Sequence, residues 1–201
     1  MIENYKYCDE VQLIEADSAK GRLVNVAAKL FNQKGYARTT VRDIASELGI
    51  LSGSLFHHFP NKEAILCIAM AEAILKASKF MELAMEGTTD AKQQLRILIH
   101  CEITALHDEN DPGFQLMIPE WRSLNADNRA CILSLRQRYE ARWHKVLESL
   151  QQQSVVNAEA RVLRHFIRGA LLETCNWYKP SGTLSQKELS DRLFESIIHQ
   201  Q

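Results

Sequence analysis

Apolar positions recur three and four residues apart along most of the chain. Leu23, Ala27, Leu30 and Phe31 line one face of a first helix, and Gly35 is placed to stop it. Val41, Ile44, Ala45 and Leu48 form the stripe of a second, two-turn helix. Thr40 stands at its start with Asp43 three residues on, the spacing of a capping box, and Gly49 closes it. Leu51, Leu55 and Phe59 fall at i, i+4 and i+8 and mark a third helix over 52–59, with Ser52, Gly53, Phe56 and His57 on its other side. Pro60 ends that helix, Asn61 caps the next, and 61–87 reads as one long helix up to Gly87. Further helices are predicted over 89–107, 114–124, 127–152, 157–178 and 185–199, separated by DENDPG, NAD, QQQSVV and KPSG. No stretch alternates convincingly enough for a strand. The pattern predicts an all-α chain of about nine helices, with a small N-terminal unit over 18–64 and a larger helical body over 65–201.

Composition narrows the class. With 46% hydrophobic and 24% charged residues the chain reads as an ordinary soluble globular protein. No segment reaches the roughly 18 consecutive apolar residues of a membrane span, so no membrane partner is expected. The polar, acidic start MIENYKYCDEVQLIEADS lacks the apolar core of a secretory signal. Cys8, Cys67, Cys101, Cys131 and Cys175 are widely spaced without a C-x-x-C, which fits free thiols in the cytoplasm. Charge is uneven: residues 18–62 hold seven Lys/Arg against Asp43 and Glu47, a balance of +5, so a chain of net −1 carries −6 elsewhere. A basic segment on an acidic body suggests an anionic partner for one end, with solvated basic surface as the plain alternative.

The densest candidate chemistry is GILSGSLFHHFPNKEAIL, residues 49–66. Adjacent histidines point to different faces of a helix and no third ligand lies near, which argues against a metal. No nucleophile is suitably placed for a catalytic pair. Two short helices joined by LGILS, with a third to complete a core, instead predict a helix-turn-helix, whose second helix lies in a DNA major groove. Small side chains at Ser52, Gly53 and Ser54 would let the helix start approach the duplex, and its backbone N–H groups favour a phosphate oxygen. His57 can donate to a base edge or a phosphate, His58 is placed to reach the DNA backbone, and Lys62 provides a phosphate contact.

The run TTVRDIASELGILSGSLFHHFPNKEAIL resembles the DNA-binding signature of the TetR family of bacterial repressors, in order and without gaps over roughly residues 20–66. That resemblance implies that Arg42, Ser52, Gly53, Phe56 and His57 face bases and that Thr40, Ser54, His58 and Lys62 face phosphates. Most relatives have tyrosine where this chain has Phe56. Its phenol-to-phosphate bond is therefore missing here, and Phe56 is free to touch a thymine methyl.

In such repressors the C-terminal helices enclose a ligand cavity, and the last two long ones pack against a second subunit. The resemblance thus implies a homodimer on a palindromic double-stranded operator, with Leu163, Phe166, Ile167, Ala170, Leu189, Leu193 and Ile197 at the interface. Burial of these residues inside a monomer is the alternative. The run FIRGALLETCNWYKPSGTLS is similar to the subgroup controlling steroid-ring and fatty-acid breakdown, whose members respond to acyl-CoA thioesters. The same architecture sensing a hydrophobic drug or an aromatic acid is the second reading. Trp121, Arg168, Leu172 and Trp177 are the candidate ligand residues. Arg168 sits among apolar neighbours and needs an anion if buried: a CoA phosphate, a ligand carboxylate or a structural glutamate such as Glu173.

An enzyme is the remaining class. Helical bundles house di-metal sites through paired Glu-x-x-His motifs. Here Glu140…His144 and Glu195…His199 are spaced i, i+4 instead, and His100, Cys101 and His107 do not share one face. No Gly-rich phosphate loop, G-x-S-x-G or H-E-x-x-H occurs. Neither an enzyme nor a cofactor or metal is expected.

Overall fold

The computed structural model describes residues 13–198. Its regular structure is helical throughout: α1 (Ala19–Lys34), α2 (Val41–Glu47), α3 (Ser52–Leu55), α4 (Lys62–Met85), α5 (Ala91–Leu106), α6 (Ala126–Gln152), α7 (Ala160–Trp177) and α8 (Gln186–Ile197). No strand occurs among the described residues, so the predicted all-α class holds. Contacts gather the chain into two compact units: residues up to Lys76 together with Asp108–Arg136, and Ala77–His107 together with everything from Gln137 onward. Helices α4 and α6 contribute residues to both.

In the first unit, local sequence explains each boundary. Ser18 caps α1 by accepting from the Gly21 N–H at 2.9 Å. Gly21 itself is forced: a Cβ there would lie 2.3 Å from the Glu15 carbonyl oxygen. The capping box forms as expected, with Thr40 Oγ1 accepting from Asp43 N and the Asp43 carboxylate accepting from Thr40 N. Gly49 takes φ +66 and ends α2 through a pair of bonds, Gly49 N to the Ser46 carbonyl and Ile50 N to that of Ala45. Leu23, Phe31, Ile44 and Leu55 are among the largest fully buried side chains, each contributing about 1.5–3 kcal/mol by leaving water.

Two expectations need correction here. The third helix, predicted over 52–59, is α-helical only over Ser52–Leu55. Beyond it Phe56, His57 and His58 donate to the carbonyls three residues back, a tightened turn that suits the approach to Pro60. The helix predicted over 114–124 is two 3₁₀ segments, Pro112–Met117 and Trp121–Ser123. Pro112 and Pro119 cannot donate to a helix ladder. Gly113 is pressed against α4, where a Cβ would stand 2.5 Å from the Ala69 carbonyl oxygen.

This segment is tied to the N-terminal helices, although the sequence pattern assigns it to the body. Asn32 Nδ2 donates to the Pro112 carbonyl at 3.0 Å and to Gln115 Oε1 at 3.2 Å. Tyr36 N donates to Glu120 Oε1 at 3.0 Å. Glu63 Oε1 accepts from Asn128 Nδ2 at 2.9 Å and from Asn125 N at 2.5 Å.

The second unit packs α5 against α7 and α8. Leu95, Leu98, Ile99, Ile103, Trp143, Leu147 and Leu171 are fully buried there. A buried ion group sits among them: Arg164 Nη2 reaches Glu102 Oε2 at 2.9 Å, Arg164 Nε reaches Glu140 Oε2 at 2.6 Å, and Tyr139 donates to Glu102 Oε2 at 2.7 Å. The guanidinium carbon lies 4.0 Å over the Trp143 ring. Cys67, Cys101 and Cys175 are free thiols, whereas Cys131 is disulfide-bonded, contrary to expectation. Cys8 lies outside the described residues.

Candidate nucleic-acid interface

The side chains expected to read DNA stand on the first unit. Arg42 near the start of α2, Gly53 in α3, and Phe56, His57 and His58 just after it are all exposed, while Ser52 and Ser54 are half-buried. Apart from its chain neighbours and the helix's own backbone, nothing among the described residues lies within 4 Å of a Cβ placed on Gly53, so that side of the helix is open. Thr40 is exposed but engaged: its hydroxyl donates to Asp43 Oδ2 at 2.6 Å and accepts from Asp43 N at 3.1 Å. Those Thr40 bonds hold the Asp43 carboxyl below the usual carboxylate range.

Lys62 is more constrained than sequence suggests. Its ammonium donates to the carbonyls of Tyr36 and Thr39, both at 2.7 Å, and lies 4.1 Å over the Tyr36 ring. Burial lowers its pKa, with Glu120 opposing the shift. One ammonium N–H remains for a phosphate. Glu120, which sequence reasoning passed over, completes this clamp on the turn between α1 and α2.

The apolar line Leu51, Leu55 and Phe59 is buried at only two of its three positions. Leu55 and Phe59 are in the core, but Leu51 is 81% exposed. The reason is that α3 begins at Ser52, so Leu51 stands outside the helix as its N-cap and not on the buried face.

In the second unit, six of the seven residues expected at a dimer interface line one open groove of about 350 Å³: Leu163, Phe166, Ile167, Ala170, Leu193 and Ile197. Phe166 is 68% exposed there; Leu189, the seventh, is buried.

The candidate ligand residues are less coherent. Arg168 and Leu172 are half-buried one turn apart on α7, and Trp177 at its end is exposed with its ring edge-on to Tyr178. Trp121 belongs to the first unit. The buried guanidinium of α7 is Arg164, one turn before Arg168. Glu173 accepts from Asn176 Nδ2 at 3.0 Å.

Two of the histidines weighed as metal ligands have hydroxyl partners. His100 Nδ1 lies 3.3 Å from Ser190 Oγ and His107 Nε2 lies 2.8 Å from Thr174 Oγ1. Glu140 is committed to Arg164, and His199 lies outside the described residues. No group of three or more potential metal ligands occurs among the described residues, and none of their helices is long and apolar enough to cross a membrane.

Two family models match successive parts of the chain. Residues 23–67 match the family described as bacterial regulatory proteins, tetR family, and residues 88–200 match the tetracyclin repressor-like C-terminal domain. The HTH-type transcriptional repressor KstR2 of Rhodococcus jostii is 31% identical over 198 residues, covering 91% of this chain and 94% of that protein. The crystal structure of the superantigen pfit is 35% identical, with a TM-score of 0.80, covering 97% of this chain and 96% of that one. AibR in complex with isovaleryl coenzyme A and operator DNA shares the fold, with a TM-score of 0.83 at 20% identity over 90% of this chain and 98% of that one.

Proposed function

The chain belongs to the TetR family of bacterial regulatory proteins, whose members regulate transcription and are not enzymes, and from that premise we propose an effector-controlled, homodimeric operator-binding repressor acting in the cytoplasm. The observation that carries the proposal is the open, positively biased reading head. Arg42, Gly53, Phe56, His57 and His58 are exposed together on a segment with seven Lys/Arg and two acidic residues. In this reading Arg42, Ser52, Gly53, Phe56 and His57 meet base edges, while Thr40, Ser54, His58 and the free N–H of Lys62 meet phosphates. The groove between α7 and α8 supports a second copy as its occupant. A two-fold pair of chains then sets two reading heads into successive major grooves of a near-palindromic site.

The proposed effector is an acyl-CoA thioester. AibR, which shares the fold and is held with isovaleryl coenzyme A, supports that class, and Arg168, half-buried on α7 one turn from Leu172, offers a cation for a phosphate. The effector must bind the DNA-competent and DNA-released states unequally. A ~100-fold preference supplies about 2.7 kcal/mol of coupling. The test is a DNA-shift assay on the region upstream of its own gene, with and without acyl-CoAs, free acids and hydrophobic drugs. Release by acyl-CoAs alone is the expected result. Release by drugs or free acids but not by thioesters would overturn the effector, and no preference for any duplex over random competitor would overturn the function.

A further inference from the structure

Leu51 is costly to the free protein in two ways. It is the N-cap of α3, yet its side chain makes no capping hydrogen bond, where Ser, Thr, Asp or Asn would supply an acceptor for the first free N–H groups. Ser18 and Thr40, the N-caps of α1 and α2, do supply one. Leu51 also leaves 81% of a large apolar side chain in water, the most of any large hydrophobic residue described. Ile50 and Phe56 are exposed beside it in sequence, flanking the small residues Ser52, Gly53 and Ser54.

Resting on the operator-binding reading above, we propose that Leu51 is a specificity-determining residue that packs against the C5-methyl group of a thymine in the operator. The major groove offers one apolar feature to a protein, and it is that methyl. The position at the threshold of the helix expected to enter the groove, the basic surroundings and the open face at Gly53 all favour a duplex as what covers Leu51. A leucine at a cap trades helix stability for apolar contact with a base, whereas serine or threonine would do the reverse.

The experiment measures binding of the full-length protein, at fixed salt, to its tightest duplex from the upstream region of its own gene. Each thymine of the half-sites is replaced in turn by deoxyuridine, which removes only the methyl. The wild-type chain is expected to lose about three- to tenfold in affinity at one symmetric thymine position. Leu51→Ser should lose a similar factor on the unmodified duplex and be indifferent to deoxyuridine at that position. Its thermal midpoint should be no lower than wild type, since serine supplies the missing cap, and its salt slope should be unchanged, since no phosphate contact is lost. The proposal is overturned if Leu51→Ser keeps the wild-type response to deoxyuridine at every position, or binds the unmodified duplex as tightly as wild type. Failure of the wild-type chain to bind any duplex would strike the operator reading itself, a distinguishable result.

Discussion

Replacing Arg164 with methionine removes the buried cation that Glu102 and Glu140 share. The guanidinium donates to Glu140 at 2.6 and 3.0 Å and to Glu102 at 2.9 and 3.3 Å. Side-chain exposure is 3% for Arg164 and Glu102 but 21% for Glu140. Methionine keeps most of the stem volume against Trp143, so the cavity contribution is small. What remains is the Glu102 carboxylate, with the Tyr139 hydroxyl as a partner but without a countercharge. Breaking a buried pair from one side costs about 3–5 kcal/mol, and the partly exposed Glu140 adds little to that. At about 2–4 °C per kcal/mol for a chain of this size, Tm should fall by roughly 6–20 °C. Thermal and urea unfolding, followed by circular dichroism, measure this directly. The control is Arg164→Met combined with Glu102→Gln, which also removes the stranded charge and should recover a large part of the loss. A single variant within about 1 kcal/mol of wild type, or a double variant whose losses simply add, would refute the account.

Arg42→Ala and His57→Ala should each cost on the order of 1–3 kcal/mol of operator binding and relax base preference, read by anisotropy on a panel of duplexes. Lys62→Met should weaken every duplex alike and reduce the salt slope by about one phosphate. It should also lower Tm, because the Tyr36 and Thr39 carbonyls lose their donor. Phe166→Asp, on the rim of the α7–α8 groove, should raise the dimer dissociation constant about 30-fold or more in sedimentation experiments; an unchanged dimer would place the interface elsewhere. Burial lowers the pKa of His107, so between that value and 6.5 the unfolded chain holds more protons than the folded one. Stability should therefore be lost as pH falls below about 6.5, and His107→Gln should flatten that part of the curve in urea titrations.

The parts legible in the sequence are those where local chemistry decides. Thr40 and Asp43 specify their capping box within four residues, while Leu163, Phe166, Ile167 and Ala170 were marked out by the family resemblance, and their helical spacing puts them on one groove. What escaped depends on partners distant in the chain. Arg164 and Arg168 are one turn apart on α7, and their own neighbours favour Arg168 for burial. Burial of Arg164 instead is decided by Glu102 and Glu140, 62 and 24 residues away. The 3₁₀ stretch over 112–123 carried two prolines as a warning, but its packing on Asn32, Tyr36 and Ala69 has no local signature. Leu51 fitted the apolar line perfectly on paper, and only the helix start one residue later takes it off the buried face.

Lys62 links these observations. It begins α4, whose residues fall partly in the first unit and partly in the second. Its ammonium grips the turn that ends at Thr39, immediately before the Thr40 cap of α2. On the operator-binding reading proposed above, a displacement of the α4 start would reach the base of the helix-turn-helix through Lys62, and Glu120 holds the same turn by accepting from Tyr36 N. The exposed side chains proposed to meet bases, Arg42, Leu51, Phe56 and His57, make little contribution to the fold. Those that hold the reading head in place are bound to the backbone. Separation of the two roles lets the specificity of the exposed set change without loss of the scaffold, and it makes the Lys62–Tyr36–Glu120 clamp the place where movement of α4 would be converted into loss of operator affinity.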